Sequence, residues 1–251
     1  MSTLSIVMIV FWAMEAIVLF CLVRSDRRAR DKRSLGWHAA SSAIILAFGL
    51  VLTILSSPAS MAPAILTVGL FFTGIYNFFR YQYRLVPREN VRARRVDLAL
   101  FGWAGPIGQV LYFAAFLDDN GRTGGGLDWW TALLLLVPAA VLYLVRRRTQ
   151  TPRPKFRKPY DFFVPLFEVV YSFAFAMSMS FTILLLTIRP LFGCFLLLGC
   201  ALSLYALIAR YMRRAACPGF RTRGSFEHSN VAWYLSQMIL ATGIFVLSGN
   251  A

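Results

Sequence analysis

The feature that most limits the fold of this chain is a regular alternation of long apolar runs with short arginine-rich segments. A helix needs about 20 apolar residues to cross the hydrocarbon core of a bilayer, and the sequence contains about eight such runs. The predicted spans are 4–23, 35–56, 61–83, 97–117, 129–146, 162–187, 191–211 and 230–248. The sequence therefore predicts an all-α, polytopic membrane helix bundle that forms one domain over residues 1–251.

Composition supports a membrane protein. Hydrophobic residues make up 58% of the 251 positions, above the 45–50% that is usual for soluble domains. A net charge of +15 would suggest nucleic-acid binding in a soluble protein. Here the basic residues lie between apolar runs and form no continuous basic face, so nucleic acid is not an expected partner.

The positions of the basic residues predict how the chain is threaded. Of the 26 Lys and Arg residues, 24 lie at or in alternate loops, and only Arg122 and Arg189 lie at the opposite side. The positive-inside rule makes the four basic loops cytoplasmic and places both termini outside. The bilayer, with anionic lipids at its cytoplasmic face, is the expected partner. A membrane-protein partner or a second copy of the chain is also compatible with this arrangement.

The two halves of the chain have a similar layout. Arg80-Tyr81 and Arg210-Tyr211 each close an apolar helix, and the basic loops fall in register if spans 1–4 and 5–8 are two copies. Such a 4+4 repeat would be parallel. Chance similarity between inward-ending helices explains the pattern equally well.

Two glutamates lie inside predicted spans: Glu15 halfway along the first, and Glu168 about two turns into the sixth. Charged groups within hydrocarbon are expensive and usually mark ion or proton pathways. One reading makes these glutamates proton or cation carriers, or an acid/base pair. The other makes them hydrogen-bonded glutamates that hold two helices together.

The fourth span contains Gly102, Gly105 and Gly108, spaced by three, together with Pro106. Proline removes a helix hydrogen bond and predicts a kink, while the glycines permit close helix packing. Asp97, at the predicted start of this span, is expected to cap the helix.

Arginines with neighbouring tyrosines near the inner ends of spans 3 and 7 are candidates for an anion or lipid-headgroup site. Arginines that only set the topology and extend to the headgroup layer are the alternative. The candidate residues are Arg80, Tyr81, Arg84, Arg210, Tyr211 and Arg214.

The sequence names no cofactor. No lysine lies in a span, which excludes a retinal Schiff base, and His38 and His228 are not expected to ligate haem. Cys194 and Cys200 are six residues apart and do not share a helix face, so no metal site is predicted. No phosphate-binding or zinc-protease motif is present.

The sequence is compatible with three functions. The buried acidic residues favour transport or binding of a small solute or lipid along a polar path in the bundle. The first alternative is a lipid-modifying enzyme with a phosphate site at the cytoplasmic face. The second is a non-catalytic subunit of a membrane complex that docks through the basic loops.

Overall fold

The computed structural model describes residues 3–28, 32–56, 61–87, 89–122, 190–214 and 223–247, with the single positions 140, 144, 183 and 186. Across these residues the chain is helical, without strands, and it forms six helices. They are α1 (Thr3–Arg28), α2 (Lys32–Leu55), α3 (Ala62–Leu85), α4 (Val91–Arg122), α5 (Pro190–Arg214) and α6 (Arg223–Leu247).

Four of these helices are long and apolar enough to cross a membrane. The apolar segments are Ser5–Asp26, Arg33–Leu55, Ala62–Leu85 and Val91–Ala115. They lie in α1 to α4 and are compatible with a multi-pass integral membrane protein. The total of eight spans and the 4+4 repeat stay predictions, since most of residues 123–189 lies outside the described part of the chain.

The chain forms two compact units, Met1–Asp119 with Ala241–Ala251, and Asn120–Leu240. In the first unit, α2 packs against both α1 and α3. The Phe11 and Phe48 rings lie 5.2 Å apart between α1 and α2. Between α2 and α3, the hydroxyls of Thr53 and Thr67 form a hydrogen bond of 2.9 Å.

Helices α3 and α4 approach each other closely at a pair of glycines, Gly69 and Gly108. A Cβ atom added to Gly69 would lie 2.8 Å from the Tyr112 ring, and one added to Gly108 would lie 3.1 Å from the Gly69 carbonyl oxygen. At the same level, the buried Tyr112 hydroxyl donates to Thr73 Oγ1 at 2.9 Å. We call Gly69, Thr73, Gly108 and Tyr112 the glycine joint.

The other positions singled out in the fourth predicted span also lie on α4. Pro106 is buried inside the helix, which continues on both sides of it. Gly105 is buried and Gly102 is partly exposed. Gly108 lies in the close contact with α3 described above. The packing role of the glycine series and the Pro106 kink stay predictions.

Asp97 does not cap α4, so that assignment was wrong. The helix begins at Val91, and Asn90 Oδ1 accepts the Ala93 N–H at 3.1 Å. An asparagine just before a helix is a favoured N-cap. The helix extends further toward the basic segment than hydropathy predicts, because Arg92, Arg94 and Arg95 have long aliphatic stems and are compatible with helix.

In the second unit, α5 and α6 contact each other through small and hydroxyl residues. Ser203 Oγ donates to Ser236 Oγ at 2.7 Å. A Cβ atom added to Gly199 would lie 3.0 Å from the Leu240 side chain. Small residues at such contacts let helix backbones approach closely in a membrane.

Candidate functional site

Within the first unit, the buried face of α1 carries an acidic residue at its middle and another near its end. The buried positions Glu15, Leu19, Leu22 and Asp26 recur at spacings of four, three and four. They therefore lie along one face of the helix. Glu15 and Asp26 are eleven residues apart, about 16 Å at 1.5 Å per residue.

On both α2 and α3, one half of the buried face is more polar than the other half. On α2 the polar positions come first, and on α3 they come last. The buried series on α2 is Ser34, His38, Ser41, Ile45, Phe48 and Leu52. The series on α3 is Leu66, Leu70, Thr73, Asn77, Arg80 and Tyr81.

Because α1, α2 and α3 alternate in direction, their polar parts meet at the same end of the bundle. This is the end where α1 connects to α2 and α3 connects to α4, beside the arginine-rich segments. We call Glu15, Asp26, Ser34, His38, Ser41, Asn77 and Tyr81 the polar interior face. It extends from the basic end of the bundle to the middle of α1.

Three of these side chains form a cluster at the basic end, which we call the helix-end cluster: Asp26, His38 and Tyr81. The Tyr81 hydroxyl donates to Asp26 Oδ1 at 3.3 Å, and His38 Nε2 lies 3.8 Å from Asp26 Oδ2. The His38 and Tyr81 rings are 4.2 Å apart. The cluster thus links α1, α2 and α3 through one buried carboxyl group.

Replacing Tyr81 by phenylalanine is expected to destabilise the first unit by about 1 kcal/mol, because the ring remains while Asp26 loses a hydrogen-bond donor. Thermal unfolding of the purified protein in detergent measures this change. Tyr83→Phe is the matched control, since its ring packs against Phe101 and under the Arg94 guanidinium and both contacts survive. Equal midpoints for the two variants would contradict the role given to Tyr81.

The innermost acidic group is Glu15, which is fully buried in the middle of the apolar segment Ser5–Asp26. Ser41 Oγ donates a hydrogen bond to Glu15 Oε1. The second oxygen, Oε2, is buried and has no hydrogen-bond partner among the described residues. An unsatisfied carboxyl oxygen inside an apolar segment is costly, which makes Glu15 a candidate functional residue.

Ser41 lies on α2 between the level of Glu15 and the helix-end cluster. His38 and Ser41 are three residues apart on α2 and are therefore neighbours on one helix face. Both are buried. The order from the basic end inward is Asp26, His38, Ser41 and Glu15, four groups that can each accept or donate a proton.

The residues predicted as an anion site lie in different environments. Arg80 is buried, with its Cζ 5.7 Å from the Tyr76 ring centroid, and Tyr81 belongs to the helix-end cluster. Arg84 is exposed in the last turn of α3. The role predicted for these three residues stays a prediction.

The other three residues predicted as an anion site lie in the second unit. Arg210, Tyr211 and Arg214 lie in the last turns of α5, and their side chains are outside the described set. Glu168 also lies outside the described residues.

Sequence reasoning missed Asp26 and Ser41, and treated His38 only as an interfacial residue. A signal for Asp26 was present, because its spacing of eleven from Glu15 places both on one helix face. Arg24 hides that signal, because it resembles the first residue of a basic loop. Ser41 carries no signal of its own, since serine is common in membrane helices.

The described part of the chain contains no group of three or more His, Cys, Asp or Glu side chains that could hold a metal ion. No family model matches the chain, and neither a curated protein nor a solved structure matches it. The four apolar helices are compatible with a multi-pass membrane protein.

Proposed function

We propose that this protein binds and moves protons within the membrane, with Glu15 as the carrier group. The observation that supports this proposal is the environment of the Glu15 carboxyl group. It is fully buried at the middle of α1, one oxygen accepts the Ser41 hydroxyl, and the other has no partner among the described residues. A lone carboxylate in hydrocarbon is expensive, so a cation must accompany it.

A proton suits this site better than a metal ion. Sodium, magnesium or calcium replaces its water shell with several oxygen ligands. The described neighbourhood of Glu15 supplies one hydroxyl by hydrogen bond, and no group of three His, Cys, Asp or Glu side chains that could hold a metal ion occurs among the described residues. A proton needs only the carboxyl oxygen itself and a donor or acceptor nearby through which it can leave.

The polar interior face provides a route from one end of the bundle. Asp26, His38 and Ser41 lie between the basic end and Glu15, and chains of acidic and histidine residues serve as proton relays in membrane proteins. Beyond Glu15 the buried faces of α2 and α3 are mainly apolar, with Phe48, Leu52 and Leu66. The buried Thr67 hydroxyl in this half is hydrogen-bonded to Thr53. The proposed site is therefore reached from one side.

The positive-inside rule assigns that side to the cytoplasm. On this reading the helix-end cluster faces the cytoplasm, Glu15 lies at mid-membrane, and both termini are outside. A variant with its four native cysteines replaced by serine and a single cysteine introduced at position 2 or 88 tests this orientation, by modification with a membrane-impermeant thiol reagent in intact cells. Labelling at position 2 and protection at position 88 would support it, and the reverse pattern would overturn it.

The function is tested by reconstituting the full-length chain in liposomes and following internal pH after an external pH step, with valinomycin and potassium to dissipate the voltage. Protein-containing vesicles are expected to equilibrate faster than vesicles without protein. Vesicles carrying heat-denatured protein are the control. Equal rates in all three preparations would overturn the proposal.

A further inference from the structure

A second feature of the first unit is a cleft between the end of α3 and the start of α4. Its volume is about 380 Å³. Phe79 and Gln82 on α3 and Arg92, Val96 and Asp97 on α4 are among the residues that line it. None of these residues belongs to the polar interior face.

Asp97 carries the argument for a ligand in this cleft. The residue is only 3% exposed, and its Oδ2 atom is buried without a hydrogen-bond partner among the described residues. An unsatisfied buried carboxylate costs far more than a satisfied one. A ligand that donates hydrogen bonds and carries positive charge would remove that cost.

The opposite charge is present in the same cleft. Arg92 is exposed and lies in the first turn of α4, where the helix has no acidic residue. The positive end of the helix dipole and the guanidinium group both favour a phosphate. Arg94 makes a different contact, with its guanidinium 4.3 Å from the Tyr83 ring centroid.

An apolar stripe on α4 begins at the cleft. Val96, Leu100, Trp103 and Val110 are all exposed, between 38% and 53%. They recur at helical spacing and so lie along one face of α4. An acyl chain attached to a headgroup in the cleft would lie along this stripe.

We propose that the cleft between α3 and α4 binds a phospholipid whose headgroup carries both a phosphate and a primary amine, as phosphatidylethanolamine does. Arg92 contacts the phosphate, and Asp97 Oδ2 accepts hydrogen bonds from the ammonium group. A quaternary choline group has no N–H to donate, and a glycerol headgroup has no positive charge. The chemistry of Asp97 therefore favours the ethanolamine headgroup over both. This proposal does not depend on proton movement through Glu15.

The test uses the full-length protein in detergent and native mass spectrometry with lipids of identical acyl chains. The wild-type protein is expected to retain phosphatidylethanolamine about tenfold better than phosphatidylcholine or phosphatidylglycerol, since hydrogen bonds to charged groups have that strength. Stepwise methylation of the amine should lower retention at each step. Flat retention across this series would overturn the proposal without any need for a variant.

Substitutions in and beside the cleft test whether the lipid binds there. Asp97→Asn should lower the retention of ethanolamine lipid to about that of choline lipid. Arg92→Gln removes the contact to the phosphate that all three lipids share, so it should lower the retention of each lipid and keep their order. Arg95→Gln, which changes an exposed arginine of the same helix turn that does not line the cleft, should keep the preference. An unchanged preference in Asp97→Asn would overturn the assignment.

A competition experiment tests whether the cleft binds a lipid or a soluble ligand with the same headgroup chemistry. Water-soluble glycerophosphoethanolamine at equal concentration should displace little of the bound lipid, because it lacks the acyl chains that contact the stripe. Displacement as effective as that by the intact lipid would overturn the assignment to a phospholipid.

Discussion

Vesicles reconstituted with Glu15→Gln are expected to show the same slow pH equilibration as vesicles without protein. Glutamine keeps the size of the side chain and an oxygen that can accept the Ser41 hydroxyl. Its amide does not take up or release a proton near neutral pH, so the carrier step is lost while packing is preserved. The measurement is the initial rate of internal pH change per reconstituted protein.

Two further variants test whether Glu15 carries protons or only contributes to packing. Ser41→Ala removes the donor to Glu15 and should slow the flux without abolishing it. Thr67→Val changes a hydroxyl of the apolar half, where Thr53 retains its bond to the Gly49 carbonyl at 2.9 Å. It should leave the flux within about twofold of the wild type, as expected for a change remote from the site. A Glu15→Gln protein that elutes normally and transports at the wild-type rate would remove Glu15 as the carrier.

The position of the helices in the first unit follows from hydropathy, since four apolar runs of sufficient length form α1 to α4. Hydropathy predicts the ends of the helices less well. Span 1 was predicted to end at 23 because Arg24 resembles the start of a basic loop, yet α1 continues to Arg28. Asp26 is buried in that extension and bonded to Tyr81 on α3, a contact 55 residues away in sequence. No local pattern encodes such a contact.

The candidate site was predicted in part. Glu15 was recognised because a carboxyl group in the middle of an apolar run is rare and expensive. Its partner Ser41 depends on the register of α1 against α2, which hydropathy does not determine. Arg80 and Tyr81 were predicted together because they are adjacent in sequence, but adjacent residues point about 100° apart on a helix. Tyr81 turns toward Asp26, and Arg80 lies near Tyr76.

The glycine joint is also predictable only in part. The glycine spacing is visible in the sequence, but the register of α3 against α4 is not. The spacing of glycines in the fourth span predicts close packing at Gly108. Gly69 is one glycine among large apolar residues of α3 and has no such signal. A glycine is needed at position 69 because the Tyr112 ring of α4 lies against it. The Tyr112 hydroxyl is hydrogen-bonded to Thr73, one turn further along α3.

Replacing Gly108 by alanine is therefore expected to destabilise the protein by about 1–3 kcal/mol, the usual cost of overpacking a close contact. The new Cβ atom would lie 2.8 Å from Thr73 Oγ1 and 3.1 Å from the Gly69 carbonyl oxygen. The hydroxyl cannot move without straining its bond to Tyr112, and the carbonyl can move only with the backbone of α3. Gly69→Ala should have a similar effect, because the Tyr112 ring would have to shift.

The intrinsic helix preference of alanine over glycine, about 1 kcal/mol, acts in the opposite direction and makes the controls informative. Gly36→Ala gains this preference with no atom within 4 Å of the new Cβ, so its unfolding midpoint should stay equal or rise. Gly74→Ala meets Ser42 at an ordinary 3.4 Å and should fall between the two cases. Thermal unfolding of all four variants in one detergent gives the order. If Gly108→Ala and Gly69→Ala unfold at or above the midpoint of Gly36→Ala, α3 and α4 do not approach each other as closely as the glycine joint requires.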